Sequence, residues 1–370
     1  MKKIMYMIDN NIKIIGGATK STFTMITEMK KLNKYDLYLC MPETDKEMDV
    51  LPTSKVVTYP ENKYKNKLIN VFFHKMKVIQ QIIEQVNPDI VHAQDPQGGI
   101  IIAMLKKFGK ISKSVECIYT DRQLFNTYSI YYKIFFRLMI KGLDKVICTT
   151  NINKEQWETH TKAKYAECIS NVLDEKWYSY NKNNERNIDR DKIIIGFAAR
   201  FDAYKRWDTV KSICERLKEN ERVKFSFCIA TGTEKNDEEA QNYIKEIKEM
   251  LGDKVTIKLN ANMDEMEEFY YNIDIFVLTS QGESFGRTLI EAMARRCVAF
   301  GTNSGGVPDV ISNKEFLFEV NDVETISTKI LRYIDNTEKL EKDKNYFEQY
   351  VKDRFSVDKL REKLDEIYTE

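Results

Sequence analysis

Thr279-Ser280-Gln281-Gly282-Glu283-Ser284-Phe285-Gly286-Arg287-Thr288-Leu289-Ile290-Glu291-Ala292-Met293-Ala294 decides how the chain is read. It follows the apolar run 274–279, which has the length and composition of a buried strand, crosses a turn bearing two glycines, and opens a run with helical spacing. Strand, tight turn and helix in that order are half of a parallel βαβ unit. The start of such a helix presents unpaired N–H groups and the positive end of the peptide dipole, so the amides of 285–288 can hold a phosphate. Glu283 stands before the helix and Glu291 inside it, which lets the two carboxylates meet different parts of one ligand as hydroxyl acceptors. An ordinary strand, turn and helix with a solvated glutamate pair is the other reading of this segment.

Outward from it the same alternation continues. Expected strands are 3–8, 36–40, 55–59, 89–92, 115–119 and 145–149, then 192–198, 223–230, 254–259, 274–279, 297–301 and 316–319, with helical patterns such as 207–217 and 238–250 between them. Short Ile/Val/Tyr runs alternating with helices predict an α/β protein of two doubly wound parallel-sheet domains. The polar, aperiodic stretch 178–187 is the expected joint. The expected organisation is 1–175, a linker 176–190, 191–350, and a closing helix 351–370 that crosses back to the first domain. A cleft facing the carboxyl ends of both sheets is where such folds bind ligands.

Composition agrees. The 370 residues are 42% hydrophobic and 11% aromatic, which excludes a disordered chain. Fifty-eight Lys+Arg against 57 Asp+Glu exclude a dedicated nucleic-acid binder. The charge is unevenly placed: residues 1–180 hold 27 basic and 19 acidic residues (net +8), and the remainder 31 and 38 (net −7). Seven scattered cysteines without C-x-x-C spacing read as thiols of a reducing, cytoplasmic compartment. No run approaches the roughly 20 apolar residues of a membrane span.

Further motifs surround the first. Asn303-Ser304-Gly305-Gly306-Val307-Pro308-Asp309 is a second glycine turn after the next strand, and 196–207 places Arg200 and Lys205 just past another strand end. Together these residues resemble the large group of retaining glycosyltransferases of the GT-B fold, family 4-like, marked by two glutamates with seven residues between them. Glu283-x7-Glu291, the Glu-Ala-Met that Glu291 begins, and the Gly-Gly-x-Pro turn match that pattern. Ile14-Ile15-Gly16-Gly17-Ala18-Thr19 looks like the family's glycine loop after the first strand, and Asn87-Pro88-Asp89-Ile90-Val91-His92-Ala93 like its strand with Pro-Asp, two Ile or Val, then His.

The resemblance implies two Rossmann-like domains, a nucleotide-diphosphate sugar as donor with UDP favoured, and a carbohydrate or lipid-linked glycan as acceptor, without metal or cofactor. It implies that Arg200, Lys205 and the amides at Ser284, Phe285, Gly286, Arg287 and Thr288 receive the diphosphate. Glu291 would then hold the ribose, Glu283 the donor sugar, and Gly16 and Gly17 the close approach of the first domain. Where the family often carries a histidine, the chain reads Tyr119-Thr120-Asp121-Arg122-Gln123, so Thr120 or Arg122 would supply that contact, or it is missing. The family's Gly and Pro after Glu-Ala-Met-Ala-x are Arg296 and Val298 here; Arg296 is expected in a left-handed cap. Arg287 could add a phosphate contact.

Other features have two readings. His92 is a packed core histidine or a sugar contact, and Asp95 an acceptor-orienting group or a plain loop carboxylate. Asp189-Arg190-Asp191 is solvated charge. Segment 61–80, with five lysines and one glutamate around an apolar face, is either a packed helix or a surface for an anionic membrane, which would make the protein peripheral on the inner face. The aromatic-rich 131–139 has the same mix of cations and apolar side chains and the same two readings, a surface for anionic lipid or an ordinary helix packed on its sheet, of which the packed helix is expected. The alternatives to a transferase are a GT-B-fold UDP-sugar epimerase and a non-catalytic glycan-binding subunit. A dinucleotide oxidoreductase ranks last, since no G-x-G-x-x-G follows the first strand.

Overall fold

The structure, a computed structural model, describes residues 1–9, 17–43, 51–60, 68–179, 192–231 and 234–370. The chain divides into two compact units. The first is Met1–Val172 with Val357–Glu370, and the second is Leu173–Ser356. The joint expected at 176–190 lies outside the described residues from 180 onward.

The first unit runs β1 (Lys2–Met7), α1 (Gly17–Lys31), β2 (Tyr35–Pro42), β3 (Val56–Tyr59), α2 (Leu68–Val86), β4 (Ile90–Ala93), α3 (Pro96–Lys107), β5 (Glu116–Asp121), α4 (Ile130–Met139), β6 (Lys145–Cys148), α5 (Asn151–Thr161) and β7 (Ala166–Cys168). The strands make a parallel sheet in the order β3-β2-β1-β4-β5-β6-β7. The central strand β4, Ile-Val-His-Ala, is buried throughout, as a strand covered on both faces must be. The edge strand β7 is only three half-buried residues, and it is the strand that sequence periodicity does not foresee.

The second unit runs β8 (Ile193–Arg200), α6 (Trp207–Leu217), β9 (Val223–Ala230), α7 (Glu234–Leu251), β10 (Val255–Leu259), α8 (Met263–Tyr271), β11 (Ile275–Leu278), α9 (Arg287–Ala294), β12 (Val298–Thr302), α10 (Val307–Ile311), β13 (Leu317–Phe318), α11 (Val323–Ile334) and α12 (Thr337–Arg354). Its parallel sheet has the order β10-β9-β8-β11-β12-β13. The buried pair Lys344–Asp274, 2.7 Å, ties α12 to the start of β11, where the other Asp274 oxygen accepts the Ile194 amide.

The helical pattern at the chain's end breaks at Phe355-Ser356, and α13 (Val357–Thr369) belongs to the first unit. Tyr368 is wholly buried there, its hydroxyl hydrogen-bonded to Tyr6 (2.9 Å) and to His92 Nδ1 (2.7 Å). Lys34–Asp365 and Arg361–Glu28 pair across the same contact.

Candidate active site

In an open parallel sheet, ligands collect where the strand order reverses, at the carboxyl ends. In the second unit that point lies between β8 and β11. The loop after β8 carries a 3₁₀ turn, Ala203–Lys205, and Arg206 in the left-handed region at φ 57°. Two hydrogen bonds fasten it to the loop after β11. Gln281 N–H donates to Tyr204 O (2.7 Å), and Thr279 Oγ1 donates to Lys205 O (2.8 Å). Lys205 is thereby aimed at Glu283, with which it forms an ion pair, and lies 4.7 Å from the Tyr204 ring centre. Burial alone would lower the Lys205 pKa, but the Glu283 carboxylate and Tyr204 outweigh it and the net shift is upward. Lys205 is therefore charged throughout the neutral range. Arg200 is exposed at the end of β8, with Asp202 (3.3 Å) and the Tyr204 hydroxyl (3.3 Å) as partners.

The second glycine turn explains why Glu283 sits where it does. Gly306 N–H donates to Glu283 O (2.7 Å), and Gly282 N–H donates to Ser304 Oγ (3.1 Å). Gly305 holds φ +59°, and a Cβ there would stand 2.2 Å from Glu283 O, so only glycine fits. Gly286 opens α9 in the left-handed conformation, and no side chain caps that helix. The amides of Arg287 and Thr288 thus stand at an uncapped helix start beside Glu283. Ser284 is half-buried. Phe285 is buried against Phe355 and contributes backbone rather than side chain to this turn.

Glu291 is buried on α9. Its Oε1 accepts from Arg287 Nε (3.0 Å) and its Oε2 from the Tyr270 hydroxyl (3.0 Å). Arg287, read from the sequence as a phosphate contact, is one turn before Glu291 and pairs with it. Tyr270, on the neighbouring α8, is a residue that sequence reasoning missed, and no local signal marks it. The two glutamates therefore have separate holders, Lys205 for one and Arg287 with Tyr270 for the other. Arg296 has φ 58°, as expected of a left-handed cap, and its guanidinium is held by Glu341 and Asn345 of α12.

In the first unit the predicted residues of β4 and β5 lie close together but mostly buried. Gly16 lies outside the described residues, and Gly17 is exposed at the start of α1. His92 is fully buried and both ring nitrogens are engaged, Nδ1 with Tyr368 and Nε2 with Thr120 Oγ1 (2.7 Å). His92 is thus packed in the core, one of its two readings, and Thr120 beside it is 2% exposed. Burial first, and then the Arg122 charge, push the His92 pKa well below its usual value, so the ring is neutral. Arg122 donates to Gln94 Oε1 (2.8 Å), which also receives the Thr22 hydroxyl (3.3 Å). These join the ends of β5 and β4 to α1. Asp95 caps α3 by accepting from Gly98 N–H (2.8 Å). Burial first and the nearby Asp9 second push its pKa up to about 7, against the Gly98 bond and Lys75.

Of the basic segment 61–80, residues 61–67 lie outside the described residues. Lys75 turns inward, paired with Asp9 and donating to Gln97 Oε1 (2.8 Å). Among the described residues no helix is long and apolar enough to cross a membrane, and no three His, Cys, Asp or Glu side chains converge as a metal site would require.

Two family models match the chain, glycosyltransferase family 4 over residues 15–177 and glycosyl transferases group 1 over residues 180–354. An uncharacterized glycosyltransferase of Methanocaldococcus jannaschii is 24% identical over 297 residues, 76% of this chain and 79% of that protein. Other curated relatives are matched over as little as 27% of their own length. Among solved structures, a sucrose-phosphate synthase from Thermosynechococcus elongatus superposes with a TM-score of 0.84 at 15% identity, over 100% of this chain and 98% of that one. Anabaena HepE, crystallised with UDP-glucose, gives 0.78 at 13% identity over the whole of both chains. At such identities the likeness is one of fold.

Proposed function

The chain belongs to the group 1 glycosyltransferases, two-domain proteins of the GT-B fold, and from that premise we propose that it moves a hexosyl or N-acetylhexosaminyl unit from a UDP-sugar to a carbohydrate or lipid-linked glycan, with retention and without metal, in the synthesis of a cell-surface polysaccharide or glycoconjugate. The observation that carries this reading is the pairing of Lys205 with Glu283 at the strand-order reversal of the second unit, beside the uncapped start of α9.

The chemistry follows from the charge. Breaking the bond between the sugar's anomeric carbon and the diphosphate leaves the electron pair on a phosphate oxygen. Fixed positive groups lower the barrier because they gain as that charge grows. Arg200, Lys205 and the amides of 285–288 are the groups this unit offers. Lys205 has three N–H donors, so it can keep Glu283 and still reach an anion. Glu283 would then accept from a donor-sugar hydroxyl and Glu291 from the ribose, each already oriented by its own partner. A structural neighbour that binds UDP-glucose supports the choice of UDP.

The test is a thermal-shift screen against UDP, GDP and ADP sugars, followed by donor hydrolysis or transfer with the best ligand. Glu291→Ala and Lys205→Ala are each expected to lower kcat/KM about a hundredfold or more. Activity within a fewfold of wild type in either variant would refute these roles. Turnover is expected to survive EDTA; its loss, restored by a divalent cation, would overturn the metal-independent reading.

A further inference from the structure

Helix α4 departs from what its sequence leads one to expect. One face packs inward: Phe136 is fully buried against Trp157 (4.8 Å between ring centres), with Met139 and Ile140 beside it. The other face carries Ile130, Tyr131, Ile134, Phe135 and Leu138, exposed by 59, 73, 45, 42 and 55%. Eight large apolar side chains are at least 42% exposed among the described residues, and five of them stand on this ten-residue helix. A helix apolar on both faces is normally covered on both. At 3.6 residues per turn the exposed five span about 140° of arc, and Lys133, Arg137 and Lys141 form a row along one edge of it. None of these three cations is paired with a carboxylate among the described residues: Lys133 and Arg137 donate to the backbone oxygens of Asn126 and His160.

The charge around the face says what covers it. Residues 122–143 contain no Asp or Glu, and neither do residues 106–115. The second stretch ends α3 and adjoins α4, since Lys107 donates to Leu138 O, and it adds exposed Phe108 to the same neighbourhood. Apolar side chains level with a row of cations and free of acids fit an interface of acyl chains and anionic headgroups. A protein partner would need no such one-sided charge.

We propose that α4 is an interfacial helix whose Ile130–Leu138 face lies in the surface of an anionic membrane. The proposal stands apart from the transferase reading, because it is tested without donor, acceptor or turnover. The full chain is sedimented with vesicles of phosphatidylcholine alone and of phosphatidylcholine with phosphatidylglycerol. Expected is co-sedimentation with the anionic vesicles only, weakened by added salt. The Ile134→Asp/Leu138→Asp variant should bind about tenfold less or weaker still, and Lys133→Glu/Lys141→Glu likewise. Ile134, Leu138 and Lys141 are exposed and Lys133 half-buried with a backbone oxygen as its partner, so circular dichroism and melting should stay close to wild type; a variant that fails this check is replaced by Phe135→Ser. Absence of vesicle binding overturns the proposal, as does equal binding to uncharged vesicles or wild-type binding by both variants. So does wild-type self-association in sedimentation velocity that the aspartate variant abolishes, for then a second copy is the occupant.

Discussion

Gly305 shows how much a single missing side chain does. Its backbone conformation is disfavoured for other residues, and the space of its Cβ is taken by the Glu283 carbonyl oxygen. Gly305→Ala must push the 282–284 turn away. The expected result is a loss of about 1–3 kcal/mol in urea unfolding, with a kcat/KM falling further than the stability loss explains. Full activity in this variant would show that the position of Glu283 is unimportant. Asp95 and His92 make a second case, because their titrations oppose each other. The Asp95 carboxyl, raised from 3.8 to about 7, contributes stability that is fully present below pH 3.8 and lost as pH rises to about 7. His92, held neutral, contributes stability present above pH 6.5 and lost as pH falls. Asp95→Asn removes the first and leaves the second. Its stability should fall more steeply than wild type as pH drops from 6.5 to 4, by up to about 1.4 kcal/mol per pH unit. Parallel pH profiles would count against the buried-carboxyl assignment. Glu283, Glu291, Lys205 and Arg200 are legible in the sequence because spacing and strand ends mark them. Tyr270 is not, since a tyrosine on a neighbouring helix carries no signal until the helices pack.

At the scale of elements, α13 is the informative one. Its last buried residue, Tyr368, is hydrogen-bonded through its hydroxyl to both His92 and Tyr6 inside the core. Tyr368→Phe leaves a buried histidine nitrogen without its partner and should cost about 1–3 kcal/mol in urea unfolding. A change below about half a kcal/mol would mean the network is dispensable. The loops after β8 and β11 are another joint product: the first is a short run without glycine and the second carries Gly282 and Gly286, but the bonds Gln281 to Tyr204 and Thr279 to Lys205 bring them into one surface. Most strands were readable because buried parallel strands are apolar runs. β7 was not, because three half-buried residues have no period.

The whole molecule has two separate cores, and heat should reveal them as two transitions. Removing 357–370 takes α13 from the first unit, so the transition belonging to that unit is expected to fall while the other keeps its midpoint. A uniform drop would show that the chain unfolds as one cooperative body. Under the proposed function, saturating UDP at a hundred times its Kd should add about 2.7 kcal/mol to the unit that binds it. By itself the sequence determined the class of fold and the two-domain plan and singled out four charged residues, Arg200, Lys205, Glu283 and Glu291, since periodicity, strand-end position and motif spacing are local properties carried along the chain. Only the tertiary structure decided that His92 and Thr120 belong to the core, that the Gly305–Gly306 turn positions Glu283, and that one face of α4 is left uncovered. Those outcomes depend on what packs against a residue from elsewhere in the chain, and periodicity records only that a face is apolar, never whether anything lies upon it.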